Sequence, residues 1–248
     1  MNITKLGNDF VNLWYLNRDG TRILIDTGYD TDWPLFCAHL AAIGDRPEDL
    51  DWLFLTHAHD DHAGFVNDLL RHSNAKVVAS DKALAGLRRG QNGPGGGAPD
   101  QDAIDLCMAM VKEGRGAHRF PKLAPEYESR FLWVTDETRS DIEAQLGRRI
   151  IDVPGHTEDC IALLAPTGAF FVGDAAQNGP HSNDRTTIWI GDLAEYIQSW
   201  ETIIALEPDT IYPGHGDPFP AADLRAALPV LRQKKLMVPG RSRKKKPN

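Results

Sequence analysis

Thr56-His57-Ala58-His59-Asp60-Asp61-His62-Ala63-Gly64 sets three imidazoles and two carboxylates in one short stretch. Neutral imidazole and ionised carboxylate are the ordinary nitrogen and oxygen ligands of zinc. Alternate residues of an extended segment point to the same side, so His57 and His59 can grip one ion together. If the chain then turns into a helix, Asp61 and His62 swing toward a neighbouring ion. The apolar run 52–55 leads directly into this stretch.

Three later units repeat one design, an apolar run, a glycine, and a metal-competent side chain. They are Ile150-Ile-Asp-Val-Pro-Gly-His156, Phe170-Phe-Val-Gly-Asp174 and Thr210-Ile-Tyr-Pro-Gly-His215. Glycine lets the backbone bend sharply after a strand and leaves room beside each ligand. Thr56 and Thr157 adjoin candidate ligands and can orient them through hydrogen bonds. Cys160, close after His156, reads as a small buried hydrophobe opening a strand.

With these residues the chain resembles the metallo-β-lactamase superfamily, whose pattern is HxHxDH followed by a His, a bridging Asp and a final His. The resemblance runs from about Val11 to Pro218. It implies an α/β fold, a four-layer αββα sandwich with the metals at one edge between two sheets. It also implies that His57, His59 and His156 hold one metal, that Asp61, His62 and His215 hold the other, and that Asp174 bridges them. The implied cofactor is two Zn2+, with Fe or Mn as substitutes. The implied reaction is attack by a shared hydroxide on the carbonyl of a small ester, thioester or lactone, with Asp61 also handling the proton. Zinc lowers the pKa of bound water to about 7, and two ions about 3.5–4 Å apart can polarise a substrate oxygen as well.

Within the family, the bridging Asp174 argues against a classical β-lactamase. Glyoxalase II enzymes share all seven ligands but carry a C-terminal helical domain, and 33 residues follow His215 here. Acyl-homoserine lactonases share the set too, with a Tyr where Gln177 stands. Single-iron persulfide dioxygenases and phosphodiesterases are the alternatives from other reaction classes.

Local patterns agree with a layered α/β domain. Residues 11–16 and 21–26 read as a hairpin around Asn-Arg-Asp-Gly. Segments 76–79, 131–134, 149–153, 161–164 and 169–172 read as strands. Segments 32–43, 63–72, 103–112, 193–206 and 223–236 read as helices, with Asp32 a cap and Pro229 a kink or break. Because the candidate ligands span His57 to His215, residues 1–236 read as a single domain. The glycine-rich run within 88–99, with Met108 and Met110 beyond it, suggests that 85–130 includes a cap or lid.

Charge is uneven. The chain is net −8, and five cations with no acid crowd its last eight residues, leaving −13 on the rest. An acidic body repels a phosphate backbone, so no nucleic-acid partner is expected, only a small-molecule carbonyl substrate. Residues 237–248 read as a basic, disordered tail. Three cysteines without CxxC spacing suit a reducing compartment. No apolar run spans a membrane and no secretory signal opens the chain, so the expected location is cytoplasmic. Oligomeric state is left open, with a homodimer one option.

Overall fold

A computed structural model describes residues 1–18 and 20–238. β1 (Asn2–Lys5), β2 (Trp14–Arg18) and β3 (Thr21–Ile25) pair antiparallel. β4 (Trp52–Phe54), β5 (Lys76–Ser80) and β6 (Phe131–Val134) then extend the same sheet in parallel, giving the order β1-β2-β3-β4-β5-β6. The second sheet contains β7 (Arg149–Asp152), β8 (Ile161–Leu164), β9 (Ala169–Gly173) and β10 (Thr210–Pro213), in the order β10-β9-β8-β7. Only its β9–β10 pair is parallel.

Strand alternation sorts the side chains into layers. Leu16, Ile23, Ile25, Phe54 and Val78 of the first sheet meet Ile161, Leu163 and Phe171 of the second in one buried cluster. Tyr15, Leu24, Leu53 and Val77 point the other way. There they pack on α1 (Trp33–Ala42), α2 (Val66–His72) and α3 (Ala83–Arg89). A slip of one residue would exchange the two sets, so the register is strongly fixed.

After α4 (Gln101–Lys112) and α5 (Arg139–Leu146), the outer face of the second sheet receives α6 (Leu193–Ala205) and α7 (Ala222–Leu231). Phe170, Val172 and Ile211 are buried there against Tyr196, Trp200 and Ile203 of α6. Each aliphatic or phenyl side chain buried this way contributes about 1.5–3 kcal/mol. The order helix, sheet, sheet, helix is the αββα sandwich expected from the sequence. Trp14 ties the sheets together near the last candidate ligand: it packs edge-on against Tyr212 at 5.1 Å, and Tyr212 stacks on Phe171 at 4.8 Å.

Several boundaries differ from those expected. The helix read at 63–72 starts only at Val66, because a helical pattern begun at Ala63 breaks where the Gly64 amide turns to a distant carbonyl. Ala63 N–H donates to His59 O at 2.8 Å and Gly64 N–H to Gly28 O at 3.0 Å. Asp32 stands at the N-cap position of α1 but its side chain bonds no α1 amide; its carboxylate accepts from Asn8 Nδ2 and, closing the 3-10 turn 30–32, from Tyr29 N. Residues 11–13 lie outside β2, since Asn12 N–H donates across to Gly214 O. The last helix ends at Leu231, two residues past Pro229, which has no N–H to continue it. The chain then returns, and Met237 and Ala98 exchange two backbone hydrogen bonds of 2.8 Å, so the packed unit extends past residue 236. The rest of the expected basic tail, from residue 239, lies outside the described residues. No helix among the described residues is long and apolar enough to cross a membrane.

Candidate metal centre

β4 lies between β3 and β5, and its parallel neighbours fix where its C-terminal end emerges. The residues that follow, His57 to His62, meet Gly155–His156 after β7, Asp174 after β9 and His215 after β10. All seven residues picked out in the sequence converge at this edge. Three groups have ligand atoms within 4.8 Å of one another: His57, His59 and His156; His57, His62 and Asp174; and Asp61, His62 and His215. Asp174 faces both ends. Its Oδ1 is 3.4 Å from His62 Nε2 and 3.3 Å from His215 Nε2, while its Oδ2 is 3.6 Å from His156 Nε2.

The far side of four imidazoles is pinned by another group. Asp26, in a left-handed conformation just past β3, accepts from Thr56 N at 2.7 Å through Oδ1. Its Oδ2 accepts from Thr56 Oγ1 at 2.7 Å and from His62 Nδ1 at 2.8 Å. With its proton given to Asp26, Thr56 Oγ1 accepts from His57 Nδ1 at 3.0 Å. His156 Nδ1 donates to Trp189 O at 2.7 Å and His215 Nδ1 to Phe10 O at 2.6 Å. Each bond sets the tautomer and turns Nε2 into the site, as outer partners of metal-bound imidazoles do.

The centre fits cations. His57 Nε2, His62 Nε2 and Asp174 Oδ1 are buried with no hydrogen-bond partner, an expensive state unless something else engages them. His156 Nε2 and His59 Nδ1 stand 3.0 Å apart. Burial, reinforced by neighbouring imidazoles, pushes His57 and His59 well below the ordinary histidine range, leaving neutral donors. Burial acts downward on His62 and His215 too, but the nearby carboxylates Asp61 and Asp174 outweigh it and raise both, His215 to about 10. That half of the site therefore attracts positive charge. Gly214 makes room: a Cβ there would lie 2.6 Å from Asp174 Oδ1 and 2.7 Å from His62 Cε1.

Other sequence readings fare differently. Gln177 is buried, and its Nε2 donates to Asp174 Oδ2 at 2.9 Å, so the amide positions the aspartate. Thr157 Oγ1 lies 3.0 Å from Cys160 Sγ, which places it on the thiol and not on a ligand. Cys160 is buried outside the ligand groups, and that burial raises its thiol. Asp60 is clasped by Asn92, whose Oδ1 accepts its N–H and whose Nδ2 donates to its carboxylate, both at 2.9 Å. His118 Nδ1 stands 3.4 Å from the same carboxylate.

Asn92 opens a strap across the cleft. Gly95 O accepts from Trp189 Nε1 at 2.8 Å, and Gly97 and Ile190 exchange two backbone bonds of 2.9 Å. Beneath the strap lies a cavity of about 390 Å³ that reaches His59 and His156. Met108 and Met110 of α4 do not line it, and Met108 is exposed. Asp26, Asn12 and Asp159 were not singled out in the sequence. Asp159 accepts from Ala58 N at 2.8 Å, and Asn12 Nδ2 donates to Pro213 O and Gly216 O. An acid closing the apolar run Ile23-Leu24-Ile25 before Thr27-Gly28 was the available sign of Asp26.

Comparisons with known proteins agree with this architecture. The chain is 28% identical over 207 residues to the beta-lactamase-like protein 2 homolog of Drosophila melanogaster, covering 83% of this chain and 58% of that protein. It is 25% identical to the thioesterase pkgB of Emericella nidulans over 83% of this chain and 46% of the other. It thus spans about half the length of such relatives. Among solved structures, the Rm3 metallo-beta-lactamase superposes with a TM-score of 0.63 at 20% identity, over 92% of this chain and 87% of that one. A metallo-beta-lactamase family protein from Thermus thermophilus gives 0.62 at 21% identity, over 93% and 77%. The family model for the metallo-beta-lactamase superfamily matches residues 6–215. This chain belongs to the metallo-β-lactamase superfamily.

Proposed function

We propose that the chain is a metal-dependent hydrolase holding two zinc ions and cleaving a small ester, thioester or lactone. The observation that carries this is the convergence of seven ligand-competent groups around buried, unpartnered His57 Nε2, His62 Nε2 and Asp174 Oδ1. His57, His59 and His156 would hold one ion and Asp61, His62 and His215 the other, with Asp174 facing both. Bound there, divalent ions supply Lewis-acid polarisation and water acidified toward neutral pH. Asp26, Trp189 O and Phe10 O keep the imidazole tautomers fixed, so no ligand has to reorient during turnover. Asp61, half-buried with Oδ2 toward His215, takes the proton from the attacking water and returns it to the leaving group. The strap and Trp189 shelter the cleft from bulk water. Curated relatives named a thioesterase and a probable metallo-hydrolase support the reaction class.

Elemental analysis of the purified protein, paired with a colorimetric ester and thioester screen, tests this. Near two zinc ions per chain with hydrolysis, both lost in Asp174→Ala and His156→Ala, is the expected result. One iron per chain, no hydrolysis, and oxygen uptake on a persulfide would overturn it in favour of a dioxygenase.

A further inference from the structure

Resting on the hydrolase reading, we propose that the substrate carries an anionic group, a carboxylate or a phosphate, seated on α3 beside the metal centre. Lys82, Ala85, Gly86 and Arg89 line the cavity beneath the strap. Their spacing of three, four and seven residues makes them one helical stripe, small in the middle and cationic at both ends. The small middle permits close approach: a Cβ at Gly86 would lie 3.2 Å from Ala58 Cβ, and Ala58 stands between His57 and His59. At 1.5 Å of rise per residue, Lys82 and Arg89 then flank that contact by about 6 and 4.5 Å along the helix axis. Both cations line the same cavity as His59 and His156.

Neither cation is already neutralised. Among the described residues, neither Lys82 nor Arg89 forms an ion pair, although the chain is net −8. Arg89 Nε and Nη2 donate to Gln91 O at 3.2 and 3.0 Å, which fixes the guanidinium plane without cancelling its charge. Four acids, Glu158, Asp159, Asp192 and Glu195, line the cavity as well. Asp159 accepts from Ala58 N, and Asp192 caps α6 through Ala194 N and Glu195 N. Glu158 and Glu195 are exposed, so solvent and salt screen their charge. A rigid guanidinium and a mobile ammonium on one wall suit a planar carboxylate or a tetrahedral phosphate equally.

Matched substrates distinguish the two. 4-Nitrophenyl butyrate against 4-nitrophenyl hydrogen glutarate tests a carboxylate; S-acetylpantetheine against its 4′-phosphate tests a phosphate. In the zinc-loaded protein the anionic member of at least one pair is expected to have the higher kcat/KM. That ratio should fall about tenfold in a Lys82→Gln/Arg89→Gln variant, through KM, with zinc per chain unchanged. Calorimetric titration with glutarate and with 4′-phosphopantetheine, on both proteins, reads the same contact without turnover. Weaker binding of either probe to the variant supports the subsite even if no ester is cleaved, a result that would sink only the hydrolase reading. Equal binding by both proteins, or neutral members cleaved as well as anionic ones, would overturn the subsite and leave hydrolysis standing.

Discussion

Replacing Asp26 with Asn tests whether one carboxylate organises both halves of the centre. Asp26 has φ +60, and asparagine tolerates that conformation nearly as well as aspartate, so the change isolates the acceptor. In the native protein two oxygens receive three donors, Thr56 N and Thr56 Oγ1 at 2.7 Å and His62 Nδ1 at 2.8 Å. The amide keeps one oxygen and sets an NH2 against the remaining donors. The Thr56 hydroxyl can rotate and accept from it, but His62 Nδ1–H is left facing an N–H. Hydrogen bonds to charged groups contribute about 1.5–3 kcal/mol each. Loss of one and weakening of the others should cost the chelated protein about 2–4 kcal/mol by urea unfolding. Freed to rotate, His62 should bind metal about 10–100-fold more weakly. Zinc titration against a competing chelator dye measures that directly. Native affinity for both ions, together with a stability change below about 1 kcal/mol, would refute the role given to Asp26.

Three further outcomes are expected. Gly214→Ala drives a methyl into Asp174 Oδ1 and His62 Cε1, and a displacement near 1 Å should lower activity about 100-fold; undiminished zinc content and activity would show that the contact relaxes harmlessly. Asn92→Ala removes both bonds to Asp60, about 1–3 kcal/mol of local stability, so the Gly97 amide should exchange faster with deuterium than in the native protein, and an unchanged rate would place the strap's anchor elsewhere. His118 is raised above the usual histidine range by its hydrogen bond to Asp60, burial acting the other way. Its contribution is therefore complete below about pH 6.5 and fades as pH rises through the higher folded value; a ring titration by NMR at or below the free-histidine midpoint would contradict this.

The seven site residues were legible because each belongs to a local pattern: four lie in one loop, and three follow an apolar run and a glycine. Layering was legible from strand alternation. What escaped depends on contacts between distant parts of the chain. Nothing near Asn12 announces that its amide binds Pro213 O and Gly216 O, some two hundred residues away. Gln177 stood out in the sequence only as the residue at the lactonase Tyr position, and its bond to Asp174 depends on the fold. β1 and α5 are short and lack a clear apolar period, and their formation owes more to tertiary partners than to propensity. The methionines of α4 read as lining a lid, yet the helix buries its Ala103 side and turns Met108 outward.

The candidate ligands come from both halves of the sandwich, four after β4 and three after strands of the second sheet. Ions held as proposed would be further cross-links between sheets already joined along that edge by hydrogen bonds such as Ile161 N–H to Thr56 O and Asn12 N–H to Gly214 O. Free zinc at 100 times the dissociation constant adds about 2.7 kcal/mol to a fold that binds one ion only when intact. The melting temperature would then report zinc supply, and chelation would weaken the fold together with the catalysis.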